Sequence, residues 1–141
     1  MEIDRSKTLN SLITGSVGSQ TWRHLYDTDG HDLLENGNLS CAYFVSSILL
    51  TAGLVKGMHA TVAGCERDLT ESGWQPTKQP QAGDVVFWPA AENGHRHIGF
   101  YQNDETAISN SSEQGSPQKH PLTYSGERPV TAIWTHPDLH P

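Results

Sequence analysis

The chain has 141 residues, two cysteines and a formal net charge of −7 at pH 7. This length predicts a single domain that can bury a core without disulfide staples, and two cysteines do not make a disulfide framework. The acidic excess argues against nucleic acid or an anionic membrane surface as the partner, but it excludes no small, zwitterionic or cationic substrate.

Residues 1–20 are rich in Ser, Thr and Gly and lack the apolar segment that marks a signal peptide. No run of the chain reaches the roughly 18 apolar residues of a membrane span. We therefore expect an N-terminal arm at 1–20, a single domain at 21–135 and a polar tail at 136–141. The expected location is the cytoplasm, or another site reached by a route that needs no N-terminal signal.

The most informative stretch begins at Cys41, which follows a polar, turn-rich segment. Apolar residues recur after it at helical spacing: Ala42, Val45, Ile48 and Leu49. Asn38 and Ser40 are both good N-cap residues, so a helix is predicted to begin at or beside Cys41 and to stop at Gly53. The free N–H groups and the dipole of a helix start favour a thiolate, which makes Cys41 a candidate nucleophile. A small buried thiol is the ordinary alternative.

A second helix is predicted from a cap at Thr61 to about Glu71. Its inner face contains Val62, Cys65 and Leu69, so Cys65 is predicted to be a buried thiol. The second half of the chain has the shorter period of strands, at 84–88, 97–101, 107–110 and 130–134. Residues 103–105 form the turn of a hairpin. Helices followed by antiparallel strands predict an α+β fold, with N-terminal helices packed on a small antiparallel sheet.

Three polar clusters fall at the ends of these elements. Cys41 begins a helix, His97 begins an apolar strand, and Ser109 and Asn110 end the strand that pairs with it. A thiol nucleophile needs a base that takes its proton and a third group that orients the imidazole. Alternation puts Ser109 and Asn110 on opposite faces, so only one of them contacts His97. We favour Asn110 because an amide orients an imidazole better than a hydroxyl does, but a one-residue change of register would favour Ser109.

Three segments resemble those of NlpC/P60-type, papain-like cysteine peptidases. Residues 40–45 (Ser-Cys-Ala-Tyr-Phe-Val) are similar to the nucleophile segment of that family. Residues 83–88 (Gly-Asp-Val-Val-Phe-Trp) are similar to its strand that opens with Gly-Asp. Residues 97–101 (His-Ile-Gly-Phe-Tyr) are similar to its catalytic histidine strand. The segments occur in the family's order, and the resemblance covers about residues 33–112. The CHAP amidases are similar in outline.

The resemblance implies a nucleophilic Cys41, His97 as general base and then acid, and Asn110 as the orienting residue, with Ser109 as the alternative. It also implies that the N–H of Cys41 forms part of an oxyanion hole. The implied reaction is amide hydrolysis through a thioester. The implied substrate is a peptide of bacterial cell wall or another small peptide. Two departures are visible. The family commonly has Asp before the cysteine, where this chain has Ser40. It also commonly has a histidine as the third catalytic residue, where the candidates in this chain are Ser109 and Asn110.

Tyr43, His95 and Ser40 are candidate substrate-binding residues. His95 and His97 share a strand face, but no further ligand completes a metal site nearby, so we expect neither metal nor cofactor. The segment that begins at Asp27 resembles the start of a calcium loop only faintly, since position 38 is not acidic. The remaining histidines are interpreted as surface or loop residues: His24, His31, His59, His120, His136 and His140.

Two other classes of function stay open. One is a catalytically silent module that binds cell-wall peptides, and the other is a thiol acyltransferase of related fold. A wall-remodelling enzyme, a phage lysin and an antibacterial effector would share these features. The sequence does not indicate an oligomeric state.

Overall fold

The computed structural model describes residues 1–92 and 94–139. Within these residues, helices come first and strands follow, so the predicted α+β class is confirmed. The helices are α1 (Arg5–Gly15), α2 (Cys41–Thr51) and α3 (Val62–Glu71). The strands are β1 (Gln75–Pro76), β2 (Val85–Trp88), β3 (His97–Tyr101), β4 (Thr106–Ser111), β5 (Ser116–Pro121) and β6 (Ala132–Thr135). A short 3-10 helix, Pro137–Leu139, comes after β6.

The strands form one antiparallel sheet in the order β1-β6-β2-β3-β4-β5. Its centre is the pair β2 and β3, and every residue of both strands is buried. Strand β2 is a continuous apolar run, as is typical of a strand covered on both faces, whereas β3 begins with the polar His97. The turn between β3 and β4 places Asp104 and Glu105 at positive φ angles of 46° and 61°, as a tight hairpin with a primed turn requires.

The two faces of the sheet carry separate apolar clusters. Helix α2 covers one face, where the rings of Phe44 and Phe100 meet edge to face at 5.6 Å between centroids. The opposite face carries a smaller cluster that includes Trp88, Tyr101 and Ala107. Alternate residues of β3 therefore enter different clusters, and this alternation decides which polar side chains can meet.

Helix α2 begins at Cys41 and ends at Thr51, as the sequence predicts. Gly53 has a φ of 77°, the left-handed conformation that commonly stops a helix at glycine. Ser40 occupies the cap position, but its side chain makes no capping hydrogen bond. Thr61 does cap α3 as predicted, since its hydroxyl accepts a hydrogen bond from the N–H of Gly64.

Both ends of the chain contribute to the main core. In the predicted N-terminal arm, α1 buries Leu9 and Ile13 completely. In the predicted polar tail, Leu139 is 3% exposed and belongs to the same cluster. His140, which was interpreted as a surface residue, and Pro141 lie outside the described residues. The arm and the tail are therefore packed against the domain that they were expected to flank.

Sequence analysis missed β1 and β5, and both are edge strands that contain proline. Proline cannot donate a hydrogen bond to a neighbouring strand, so it is tolerated at a sheet edge and disfavoured in the centre. The sequence of β5, Ser-Pro-Gln-Lys-His-Pro, lacks the apolar alternation that identified the other strands. This omission matters because β5 carries His120.

Candidate active site

Cys41 is the first residue of α2, and its thiol is partly buried beside the start of β3. The backbone N–H groups of Ala42 and of Ile98, the residue after His97, both interact with the sulfur. Cys41 and His97 line one cavity of about 570 Å³, called here the Cys41 cavity, together with Arg128. The helix start and the histidine strand thus bring a thiol and an imidazole to the same cavity.

Burial raises the pKa of the Cys41 thiol above its ordinary value. The N–H groups of Ile98 and Ala42 and the positive charge of Arg128 act in the opposite direction, but burial outweighs them. The helix start therefore acts on this pKa in the expected direction, but burial leaves the pKa of the Cys41 thiol raised. A neutral thiol needs a base that removes its proton during the reaction.

His97 is 9% exposed and packs against the ring of Trp88, with 5.1 Å between centroids. Burial lowers the pKa of His97 to about 3, and the nearby Arg128 charge contributes in the same direction. His97 is therefore a neutral imidazole at neutral pH, the form that accepts a proton. Its Nε2 atom lies 2.9 Å from the Oγ of Ser109.

Asn110, the preferred orienting residue, does not face His97. Its Nδ2 donates a hydrogen bond of 2.8 Å to the carbonyl of Gly37. The register explains the difference: Phe100 pairs with Ile108, which puts Ile108 and Asn110 on the helix-covered face. Ser109 falls on the opposite face with His97. The structure therefore supports the alternative residue, Ser109, as the neighbour of the imidazole.

Ser109 is itself surrounded by polar groups that sequence analysis did not connect with it. Its Oγ lies 2.6 Å from Nε2 of His120 and 3.2 Å from the hydroxyl of Tyr124. The His120 and Tyr124 rings are stacked, with 4.1 Å between centroids and an interplanar angle of 14°. Burial lowers the pKa of His120 and raises that of Tyr124, so both are neutral at pH 7.

The interpretation of His120 as a surface or loop residue is wrong, because His120 lies half-buried in β5. Its register explains why it reaches Ser109: Ala107 pairs with His120, and Ser109 is two residues further along β4 on the same face. The available signal was the alternation of polar side chains at Ser116, Gln118 and His120. It is a weak signal in a segment with two prolines.

A second cavity, of about 650 Å³, adjoins the first and is called here the Ser109 cavity. The two cavities share four lining residues: Ala91, His97, Ser112 and Arg128. Arg128 is held in the shared wall because its Nη2 donates hydrogen bonds to the carbonyls of Pro89, at 2.8 Å, and His95, at 3.4 Å. In residues 1–92 and 94–139, no carboxylate forms an ion pair with Arg128.

The three candidate substrate-binding residues differ in position. His95 is exposed and lines the Cys41 cavity. Tyr43 is half-buried and lines neither of the two cavities. Ser40 is 0% exposed and lines neither cavity, so it presents no surface to a substrate in this structure.

One group of side chains has donor atoms close enough for a metal ion. Oxygen or nitrogen atoms of Asp27, Asp29 and His31 lie within 4.8 Å of one another. The Asp27 carboxylate already accepts the backbone N–H groups of the other two residues. These hydrogen bonds explain why the three side chains lie close together in a turn. None of the three residues lines the Cys41 cavity or the Ser109 cavity.

The family model described as the NlpC/P60 family matches residues 19–133, which is most of the chain. The chain belongs to the NlpC/P60 family. The matched region contains Cys41, His97, Ser109 and His120. No curated protein matches the chain in sequence.

Two solved structures from Trichomonas vaginalis have a similar fold. NlpC1 shares 15% identity at a TM-score of 0.60, with 96% of this chain and 46% of the NlpC1 chain covered. NlpC2 shares 16% identity at a TM-score of 0.57, with 94% of this chain and 48% of the NlpC2 chain covered. This NlpC/P60 chain thus spans about half the length of these neighbours. Among the described residues, no helix has the length and apolar character needed to cross a membrane.

Proposed function

We propose that this NlpC/P60 chain is a cysteine amidase that cleaves peptides of bacterial cell wall, with Cys41 as nucleophile, His97 as base and Ser109 as the third member. The observation that carries the proposal is the shared cavity of Cys41 and His97, with Ser109 bonded to the far nitrogen of the imidazole. The family supports the reaction class, because its members are generally hydrolytic cysteine peptidases or amidases.

The reaction begins when His97 takes the thiol proton of Cys41. Because Nε2 faces Ser109, the nitrogen that remains for this proton is Nδ1. The sulfur attacks the amide carbonyl carbon, and the N–H groups at the start of α2 stabilise the developing oxyanion. Nδ1 then returns the proton to the leaving amine as the C–N bond breaks, which leaves a thioester on Cys41.

Water completes the cycle. His97 takes a proton from a water molecule, and the resulting hydroxide attacks the thioester carbonyl. The C–S bond breaks, the carboxylic acid product leaves, and Cys41 recovers its proton. Every proton passes through His97, so the ring needs a fixed orientation and a free lone pair on Nδ1.

The test is incubation with purified peptidoglycan, followed by mass spectrometry of the released fragments. The wild-type protein is expected to release peptides with new amine and carboxyl ends, and Cys41→Ala to release none. Cys65→Ala is the matched control, because Cys65 is the buried thiol of α3 and lines neither cavity. Identical fragments from Cys41→Ala, or none from the wild type, would overturn the proposal.

A further inference from the structure

The hydroxyl of Ser109 has three polar neighbours: Nε2 of His97, Nε2 of His120 and the hydroxyl of Tyr124. A serine hydroxyl donates one hydrogen bond and accepts two. All three contacts form together only if Ser109 donates to one neighbour and accepts from the other two. The direction of each bond therefore depends on which neighbour needs a donor.

His120 is the neighbour that needs one. Its Nδ1 lies 2.7 Å from the carbonyl oxygen of Pro121. A carbonyl oxygen only accepts hydrogen bonds, so Nδ1 carries the ring proton. Burial lowers the pKa of His120, and the neutral ring has a single N–H group. Nε2 of His120 is consequently an acceptor, and the Ser109 hydroxyl donates to it.

The bond from Ser109 to His120 fixes the bond from His97 to Ser109. Because the Ser109 hydroxyl donates its hydrogen bond to His120, its oxygen accepts a hydrogen bond from Nε2–H of His97. The neutral His97 ring then carries its proton on Nε2 and a lone pair on Nδ1. This is the tautomer that can take a proton from the Cys41 thiol. If Ser109 were free to donate to His97, it would favour the opposite tautomer, which cannot act as the base.

We propose that His120 is a positioning residue that, through Ser109, holds His97 in the tautomer with a free Nδ1. The chain of bonds runs from the Pro121 carbonyl through His120 and Ser109 to His97. Packing keeps its first part in place, since the His120 ring contacts the rings of Tyr124 and Trp88, at 4.1 and 5.5 Å between centroids. The catalytic consequence rests on the proposed function, whereas the tautomer itself does not.

The first experiment measures the tautomer by ¹⁵N NMR of histidine-labelled protein at pH 7. The wild type is expected to show His97 with a protonated Nε2 and an unprotonated Nδ1. His120→Phe keeps the stacked ring but has no acceptor, so the Nδ1–H tautomer of His97 is expected to become populated. His120→Gln places an amide oxygen near the former Nε2 position and is expected to retain the wild-type tautomer.

A second loss variant covers the case in which His120→Phe does not fold. His120→Asn keeps a polar group near the Pro121 carbonyl but is too short to reach Ser109, so it is expected to resemble His120→Phe. A wild-type protein with Nδ1–H on His97 would overturn the proposal. An unchanged tautomer in a folded His120→Phe or His120→Asn variant would do the same.

The second experiment measures turnover of a cell-wall peptide. Loss of the correct tautomer is expected to lower kcat by about 10-fold, with KM nearly unchanged and with recovery in His120→Gln. Unchanged kcat in His120→Phe would contradict the positioning role while leaving the amidase intact. If the wild type cleaves no peptide but the His97 tautomer changes in the His120 variants as expected, the proposed function is wrong and the positioning role of His120 is still supported.

Discussion

A Cβ atom placed on Gly99 would lie 2.6 Å from the Cβ of Ser109. Real side chains do not approach so closely, so Ser109 occupies the space that a larger residue at position 99 would need. The carbonyl of Ile108 and the ring of Trp88 close the same space at 2.9 and 3.1 Å. Gly99 therefore permits the contact between the strand that carries His97 and the Ser109 hydroxyl.

Gly99→Ala is expected to displace Ser109 and to break its bond with His97. Overpacking of a filled site costs about 1–3 kcal/mol, so chemical denaturation is expected to show that loss together with reduced peptide cleavage. Gly15→Ala is the matched control, because a Cβ there meets nothing within 4 Å and lies in α1. Unchanged cleavage by Gly99→Ala would show that the Ser109 contact is not needed.

Ser109 and Asn110 are neighbours whose truncations are expected to have different effects. Ser109→Ala removes the partner of His97, so turnover should fall on the order of 10-fold or more while the fold persists. Asn110→Ala leaves the buried carbonyl of Gly37 without its donor, and this should cost about 1–3 kcal/mol of stability.

The measurements are turnover per folded molecule and the free energy of unfolding of each variant. Turnover of Asn110→Ala is expected to stay near the wild-type value at a temperature where the variant is folded. The reverse result, an inactive Asn110→Ala and a fully active Ser109→Ala, would favour the amide as the orienting group.

The choice between these two residues could have been made from the sequence. If Ile98 and Phe100 on one strand and Ile108 on the other face the main core, alternation turns His97 and Ser109 away from that core. His97 and Ser109 then share the other face. The preference for Asn110 rested on the chemistry of an amide, whereas the alternation of the strand decides which side chain is present.

Other parts of the site could not be found in this way. The position of Cys41 at the start of a helix and that of His97 at the start of a strand follow from local periodicity, which a sequence displays directly. The contact between Ser109 and His120 depends on an edge strand with prolines and on a register that only the folded sheet fixes. The pKa of Cys41 depends on the depth of burial, and no local pattern gives that depth.

Acid is expected to destabilise the protein because of His97. In the folded state burial lowers the pKa of His97 to about 3, while an unfolded histidine titrates near 6.5. Between these values the unfolded chain binds the proton and the folded chain does not, so stability falls as pH drops below about 6.5. From pH 7 to pH 5 the loss is about 2 kcal/mol from this residue.

The measurement is urea denaturation at several pH values for the wild type and His97→Gln. The variant is expected to lose less stability between pH 7 and pH 5. The carboxylates of Asp27, Asp32 and Asp68, whose pKa values are lowered, contribute mainly below about pH 4 and do not obscure this range. Equal slopes in the two proteins would show that His97 is not a buried neutral imidazole.

Arg128 is expected to influence the reactivity of the Cys41 thiol. Its charge lowers the thiol pKa and also lowers that of His97, so its removal should shift both upward. In Arg128→Gln, the pH midpoint of Cys41 alkylation by iodoacetamide should therefore rise. Alkylation of Cys41 at pH 7 should remain faster than that of Cys65, which is fully buried with a pKa raised to about 12.

Arg96→Gln is the matched control for this experiment. Arg96 also lines the Cys41 cavity, but its guanidinium pairs with Glu66 at 3.0 Å. Removing Arg96 should leave the alkylation midpoint close to the wild-type value, whereas Arg128→Lys should retain much of the charge effect. Equal shifts in Arg96→Gln and Arg128→Gln would point to the total charge of the cavity. No shift in Arg128→Gln would contradict the electrostatic role, since the guanidinium would then be too well screened to act on the sulfur.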